Sequence, residues 1–470
     1  MVYNLVVDGS EATVTLSGDR ITFKSSGITD LSYQLDDVIG CDEVLIGWFY
    51  KTEVTQVWLI EHAPSNLLLK KCKIISGDQR KQFQHDLTEK ITCSTKRPKR
   101  VLVMINPKGG NGTAKKDFMD IVQPVLRLSG ISMDIIFTER PGHMTDVAKT
   151  YDFCNTDGIV LLGGDGSYHE VVNVLMRRRQ EEQGLDVNDQ NAALSPLNIP
   201  IAMIPTGTAC GVTECNTGTT DVLTAVLHVI KGRTVSSHLL ALYSNNKLLG
   251  FGGTDCGYGV LTDLLYYSDR KFRWLGRSRY FFVPIWMFLF KSQTNRKFEA
   301  SVTYYTSVNE RKNSNNGGRE VFVGDKRLSG YSSYTSDTVT FNRTLWNIMT
   351  VNGNFISGNQ VVFDVPRAFV PKPTTCSSFL FYGDPSAGVM NKFFKHIGDR
   401  TPMEFSDKEL EVVNARGFTV ELRDSLDSKD PEMATLKRLI HLDGEIYQLE
   451  SPSFQLWYKL DVVQIFSSYL

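Results

Sequence analysis

From residue 101 onward the chain repeats one pattern: a short apolar run, a glycine-rich turn, then a helix. The run 101–105 ends in Asn106-Pro107-Lys108-Gly109-Gly110-Asn111-Gly112. The run 159–162 ends in Gly163-Gly164-Asp165-Gly166, and the run 199–204 in Pro205-Thr206-Gly207-Thr208. A fourth run, 133–137, lies between the first two. Unbroken apolar runs bounded by turns read as strands buried on both faces, and their alternation with helices implies a parallel sheet covered on both sides. Ligands of such sheets sit beyond the carboxyl ends of the strands, and all three glycine turns fall there. The expected helices run to about 129, from 143 to about 153, and from 168 to 179. The three arginines closing the last one suit a helix C-terminus.

The flanks read differently. In the first ~95 residues, short alternating runs surround turns such as Ser17-Gly18-Asp19, and Phe83, Leu87 and Ile91 then recur at a helical spacing. Strands closed by one amphipathic helix predict a small β-barrel of pleckstrin-homology type over 1–95, the alternative being an extension of the main sheet. Lys96-Arg97-Pro98-Lys99-Arg100 reads as a solvated linker, or as a contact with lipid headgroups. The nucleotide-binding α/β domain is expected over 99–235, with strands from 454 to 470 returning to it, and an antiparallel β-sandwich domain over 236–453. The stretch 309–319 is a hydrophilic insertion that reads as disordered.

Composition narrows the class. Among 470 residues, 41% are hydrophobic and 22% charged, with a formal net charge of -1, so no global basic field points to nucleic acid. The eight cysteines form no C-x-x-C pair and read as reduced thiols of a cytosolic protein. The first residues show no basic segment followed by an apolar one, so no signal peptide is expected. The most apolar stretch, 280–290, is too short for a bilayer span, which needs about 20 residues. It reads either as a core helix or as the wall of an acyl-chain channel, or a lip that dips into a membrane.

The Gly163–Gly166 turn offers what phosphoryl transfer needs. Glycines let backbone N–H groups approach phosphate oxygens, and the following helix points its positive end there. Asp165 adds a carboxylate able to accept a proton or hold Mg²⁺. The plain alternative is a tight turn with a capping aspartate. The first loop lacks the Gly-Lys-Ser/Thr ending of a P-loop and the G-x-G-x-x-G of a dinucleotide fold. His169 reads as a support for a neighbour rather than as a base.

The combination is more specific than its parts. INPKGGNG, then FTER at 137–140, LLGGDGSYHEVVN and IPTGT, with Asp443-Gly444-Glu445 near the end, resembles the diacylglycerol kinase-like lipid kinase superfamily over roughly 99–466. RWLGRSRY at 273–280 and the segment 218–232 resemble the sphingolipid branch, ceramide kinases most and sphingosine kinases next. The resemblance implies Asp165 as general base. It implies a nucleotide site of Asn106, Pro107, Lys108, Gly109, Gly110, Thr138, Glu170, Thr206, Gly207 and Thr208, with Arg273 and Arg279 at the phosphates. Asp443, Gly444 and Glu445 would close that site, Glu445 with Mg²⁺. Gly163, Gly164, Asp165, Gly166 and Asp263 would meet the lipid. ATP is the implied co-substrate, and a membrane-derived sphingolipid the implied partner, phosphorylated by a cytoplasmic enzyme peripherally attached to membrane.

Two departures bear on the lipid. Sphingosine kinases carry a second aspartate two residues after the position of Asp263, where this chain has Leu265, which favours an amide headgroup such as ceramide's. Ceramide kinases carry a cysteine-rich C-terminal motif, and only Cys376 lies in the last 200 residues. A kinase for a soluble acceptor such as NAD also uses a GGDG loop, but the N-terminal unit, the Asp443–Glu445 element and the apolar run argue against it. The presence of Asp165, Glu170 and Glu445 argues against a catalytically dead lipid-binding protein.

Overall fold

The computed structural model describes residues 1–25, 30–47, 51–63, 67–110, 112–207, 210–290, 297–305, 322–323, 326–327, 331–334, 338–352, 356–357, 360–361, 376–383, 385–399, 405–406 and 408–468. The 309–319 insertion, Asn111 and Thr208 lie outside them.

Seven antiparallel strands come first: β1 (Val2–Val7), β2 (Ser10–Ser17), β3 (Arg20–Ser25), β4 (Leu31–Gln34), β5 (Val38–Ile46), β6 (Thr52–His62) and β7 (Leu67–Ser76), followed by α1 (Arg80–Ser94). Their order is β4-β3-β2-β1-β7-β6-β5, a sheet separate from the main one, so it is no extension of that sheet. The expected hairpin at Gly18 pairs Ser17 with Arg20. Alternate residues of β1–β3 point into a core that Phe83, Leu87 and Ile91 of α1 close. The strand β1 was not anticipated, because its Tyr3, Leu5, Val7 alternation is only three residues long.

The α/β part contains β8 (Arg100–Ile105), α2 (Ala114–Asp117), a π-turn, α3 (Gln123–Leu128), β9 (Ser132–Phe137), α4 (His143–Thr150), β10 (Gly158–Gly163), α5 (Asp165–Glu182), β11 (Ile201–Pro205), α6 (Gly211–Thr217) and α7 (Val222–Lys231). Strands β9, β8, β10 and β11 are parallel neighbours, in the predicted style. One face packs on α2, α3 and α7, and the other on α4 and α5.

Next come β12 (Thr234–Ser244), β13 (Lys247–Gly252), β14 (Asp255–Gly259), α8 (Val260–Arg270), α9 (Arg279–Phe290), β15 (Phe298–Tyr305), β16 (Thr338–Val351), β17 (Cys376–Tyr382), α10 (Ala387–Asp399), β18 (Leu410–Ala415), β19 (Gly417–Leu422), α11 (Pro431–Leu436), β20 (Leu439–Leu442), β21 (Glu445–Gln448) and β22 (Ser453–Phe466). These strands are antiparallel, yet they join the parallel ones in one hydrogen-bonded network. The link is β22, which pairs antiparallel with β12 and β19 and, at Ile465, parallel with Ile201 of β11. Residues of β12, β14, β15, β16, β17, β19, β20 and β22 share one core, which a flat sheet could not provide, so the sheet curls around it.

The 96–100 linker differs from expectation. Lys96 is exposed, but Arg97 donates to the carbonyls of Val38 (2.5 Å), Ile39 (2.6 Å), Ser129 (3.1 Å) and Ile230 (3.3 Å). Burial pulls its pKa down to about 10, with Asp36 opposing, and it stays charged at neutral pH. A guanidinium presents five N–H donors, enough to satisfy four carbonyls that would otherwise face one another across the junction.

Candidate active site

The three glycine turns pack backbone against backbone. A Cβ on Gly207 would lie 2.3 Å from the Cα of Gly164, and one on Gly110 would lie 2.4 Å from the carbonyl oxygen of Thr206. Only glycine allows this approach. The loops after β8, β10 and β11 thus form one continuous floor of main chain. Asn106 folds beneath its own loop, its Oδ1 accepting from the Lys108 N–H at 3.2 Å, while Lys108 itself is exposed. Pro107 and Gly109 are half-buried in that loop, and Thr138 is half-buried at the end of β9, where its N–H donates to Ile105. Thr206 is buried, and its hydroxyl has no hydrogen-bond partner among the described residues.

Asp165 opens α5, so that helix starts three residues earlier than the periodicity indicated. Its carboxylate is held by α6: the N–H groups of Gly211 (3.0 Å) and Val212 (2.9 Å) each donate to one oxygen. Burial pushes its pKa up to about 6, the carboxylates of Asp443 and Asp255 add to this, and those two N–H donors oppose it. A carboxylate that titrates near 6 is ionised at neutral pH yet basic enough to take a proton in a transition state. The capping expected of this aspartate takes another form, since it bonds the first turn of α6 and not its own helix.

Glu445 lies beside the next residue of that helix, Gly166. A Cβ on Gly166 would lie 2.8 Å from Glu445 Oε1, so the absence of that Cβ makes room for the carboxylate. Its pKa is raised, first by burial, with Asp269, Asp443 and Glu170 adding to the shift and His169 opposing it.

The other members of that element do something else. Asp443 and Gly444 have φ of 56° and 81° and form the two-residue turn between β20 and β21, as Asp-Gly favours. The Asp443 carboxylate is fully buried and committed. It accepts from the N–H groups of Gly253 (2.7 Å) and Thr254 (2.8 Å), from the Thr254 hydroxyl (2.8 Å) and from His169. Burial works to raise its pKa, but His169 and those donors hold it below the usual carboxylate range. Glu445 alone of the three presents an acid toward the glycine floor. Glu170 likewise has a local task, accepting from the Thr145 N–H (2.7 Å) in the first turn of α4.

The arginines lie to one side. Arg279, at the start of α9, pairs with Asp269 (3.3 Å) and stacks over Tyr280, and Arg273 is exposed. Asp269 is close enough to Glu445 to raise its pKa, which puts Arg279 in the same neighbourhood. Asp263 is buried in the first turn of α8. Leu265 is half-buried on that helix, and residues two apart do not face each other. An acid at 265 would thus not join Asp263 on one face.

Two contributors had not been anticipated. The backbone N–H groups of 211–212 lie beyond the third glycine turn, and Cys210 adopts φ 56°, which sequence does not announce. Asp255 is tied to buried His441 (3.0 Å), which also meets Thr262 (2.8 Å) beside Asp263. Glycines around Asp255 were the only hint.

Comparison with known proteins fits this geometry. Residues 100–242 match the family model of the diacylglycerol kinase catalytic domain. That stretch, just under a third of the chain, is similar to this domain. The resemblance read from the motifs, to the diacylglycerol kinase-like superfamily and its sphingolipid branch, is shown by the relatives. The chain is 34% identical to ceramide kinase of Homo sapiens over 223 residues, 47% of this chain and 40% of that one. It is 36% identical to ceramide kinase of Mus musculus over 195 residues, 42% and 36% of the two chains. It is 30% identical to sphingoid long-chain bases kinase 1 of Arabidopsis thaliana over 199 residues, 42% and 24%. The matched stretches span less than half of these relatives' own lengths. A solved structure from Bacillus anthracis, described as a diacylglycerol kinase, shares the fold, with a TM-score of 0.50 at 15% identity over 79% of this chain and 97% of that one.

Proposed function

We propose that the chain is an ATP-dependent lipid kinase that phosphorylates the primary hydroxyl of a sphingolipid, with ceramide as the preferred acceptor and sphingosine as the second reading. The observation that carries it is the main-chain floor of Gly110, Gly164 and Gly207 with Asp165 at its edge, poised near pH 6. The floor, the N-terminus of α5 and the unpartnered Thr206 hydroxyl suit the phosphates of ATP. Asp165 takes the proton of the lipid hydroxyl as its oxygen bonds to the γ-phosphorus. The bond from that phosphorus to the β-phosphate bridging oxygen breaks, and ADP leaves. Mg²⁺, when bound with the nucleotide, would neutralise charge on the phosphates, and Glu445 is the carboxylate available to hold it, Asp165 being kept for the proton.

The preference for ceramide is supported by identity to the two ceramide kinases. A protonated amine beside Asp263 would be a buried charge with one carboxylate partner, whereas a neutral amide needs only ordinary hydrogen bonds. The test is radiolabelled transfer from ATP to a panel of ceramide, sphingosine, diacylglycerol and NAD. Ceramide labelled fastest supports the proposal, and sphingosine labelled fastest gives the second reading. Label in NAD alone overturns the lipid assignment.

The acceptor implies a membrane, and α9 fits one. Trp274 and Phe281 are each 78% exposed, and Phe288, Leu289 and Phe290 are exposed beside them, while Val283 and Met287 anchor the helix in the core. Exposed apolar area on this scale marks an interaction surface. Between 270 and 297 the sequence has eight basic residues and no acidic one, which suits anionic headgroups. No helix among the described residues is long and apolar enough to cross a membrane, so contact would be peripheral. The N-terminal sheet is read in the same proposal as a pleckstrin-homology-like unit, and the curled antiparallel strands as the lipid-binding sandwich.

A further inference from the structure

Glu445 leans over Gly166, and the residues on both sides of it are tied to one imidazole. His169 Nδ1 lies 3.2 Å from Asp443 Oδ2, and His169 Nε2 lies 2.6 Å from the Tyr447 hydroxyl. Asp443 and Tyr447 are the residues two before and two after Glu445. A neutral ring with its proton on Nδ1 satisfies both bonds: Nδ1–H donates to Asp443, and the tyrosine O–H donates to Nε2. The ring is buried and the Asp443 side chain wholly so, which leaves neither partner free to swing.

We propose that His169 is a positioning residue that clamps the β20–β21 hairpin to α5 and so fixes Glu445 beside Gly166. The clamp stands on geometry; only the task of Glu445 toward nucleotide and metal rests on the kinase reading.

Three observations separate a clamp from an ordinary buried histidine. First, His169 belongs to a seam. Asn173 and Arg177 follow at i+4 and i+8 on the same face of α5 and also bond across to the β half. Asn173 Oδ1 accepts from the Phe251 N–H and its Nδ2 donates to the Phe251 carbonyl, both at 2.8 Å. Arg177 donates to the carbonyls of Leu248 and Leu249. The apolar face of the same helix packs elsewhere, on the parallel sheet. A polar seam fixes one alignment where an apolar contact would tolerate sliding. Second, the Tyr447 hydroxyl occupies a slot kept open by Gly250, whose Cβ would lie 2.5 Å from it. Third, Gly166 keeps open the place where Glu445 ends. The Tyr447 end of the hairpin and the Glu445 carboxylate are thus both accommodated by missing side chains.

The test is a double-mutant cycle in the full chain, combining Tyr447→Phe with Glu445→Gln. Phosphate transfer is measured against Mg²⁺ concentration at fixed ATP. Tyr447→Phe removes the hydroxyl that ties the hairpin to His169. With Glu445 as metal ligand, the loosened hairpin is expected to raise half-saturating Mg²⁺ by roughly tenfold, the lower end of the loss when an orienting group is removed at other metal sites, while kcat at saturating Mg²⁺ changes little. In the Glu445→Gln background the same change should have no further effect. Equal effects in both backgrounds, or no effect in either, overturn the proposal. His169→Gln, whose Oε1 can accept from the Tyr447 hydroxyl near the Nε2 position, should lie between wild type and His169→Ala. A second readout is independent of activity: amide hydrogen exchange in 442–448 should accelerate in Tyr447→Phe while α5 stays protected. Unchanged exchange there overturns the clamp. A wild-type chain that transfers no phosphate, yet shows this exchange difference, defeats the kinase reading and leaves the clamp standing.

Discussion

Replacing Asp165 by asparagine separates its two roles. The folded-state pKa of about 6 stands roughly two units above the ordinary 3.8. At ~1.4 kcal/mol per unit, keeping this group ionised in the folded chain costs roughly 3 kcal/mol. Between pH 4 and 6 the folded chain retains a proton that the unfolded chain releases. Stability from this group is therefore full below about pH 4, declines as pH rises through 6, and is lost above it. Asparagine removes that cost, but it sets an amide N–H₂ against the N–H of Gly211 or Val212 and leaves one donor unsatisfied, a loss of about 1–3 kcal/mol. The two effects nearly cancel at pH 7.5, so the variant should melt close to wild type there. Wild type alone should lose this increment of stability between pH 4 and 6. Transfer by wild type should rise tenfold per pH unit below about 6 and then level. The variant should be slower by about 10²–10⁴-fold and lack that limb. If Asp165→Asn kept both the rate and the acid limb, the base would lie elsewhere, and Glu445 would be the next residue to change.

Gly207→Ala must drive the second and third glycine loops apart, since its Cβ would lie 2.3 Å from Gly164. An ångström-scale displacement predicts about a 10²-fold loss in kcat/KM for ATP with the fold retained, and unchanged kinetics would mean that this floor is not the phosphate cradle. Arg97→Met leaves four carbonyls facing the junction without their donor and should destabilise the chain by about 3 kcal/mol in denaturant titration. A loss under about 0.5 kcal/mol would return the linker to the solvated role. Phe281→Glu with Leu289→Glu should abolish sedimentation with phosphatidylserine-containing vesicles without lowering the melting temperature, and persistent sedimentation would remove α9 from the membrane surface.

The parallel core was legible because each strand is an unbroken apolar run followed by glycine, a local pattern that needs no knowledge of partners. The boundaries of β8, β9 and β10 fell within a residue of expectation for that reason. What sequence could not show was which groups would meet. Asp443 looked like a ligand because it precedes Glu445, but the same Asp-Gly that marks the motif also makes a tight hairpin turn, and the turn buries the aspartate. Arg97 looked solvated because five basic or proline residues in a row usually are. Its burial depends on carbonyls from three elements, up to 133 residues away. Nor could pattern reveal that the antiparallel and parallel halves share β22, since pairing partners leave no periodic trace.

The two faces of the parallel sheet divide the labour between the substrates. On one face, α5 carries Asp165 at its start and is sewn by His169, Asn173 and Arg177 to the β half, from which Glu445 and Asp263 come. On the other face, α3 and α7 carry no site residue, yet they pack against Ile39, Ile60 and Leu67 of the N-terminal sheet. The junction is close: a Cβ on Gly40 would lie 2.1 Å from the Leu128 carbonyl oxygen, and one on Gly232 would lie 2.0 Å from that of Lys96. Lys231 of α7 also pairs with Asp37 at 2.6 Å. The helical segment holding α2 and α3 follows the first glycine loop, and α7 follows the third after one short helix. The N-terminal sheet is thus attached to the helices that follow the first and third glycine loops, and not to α5.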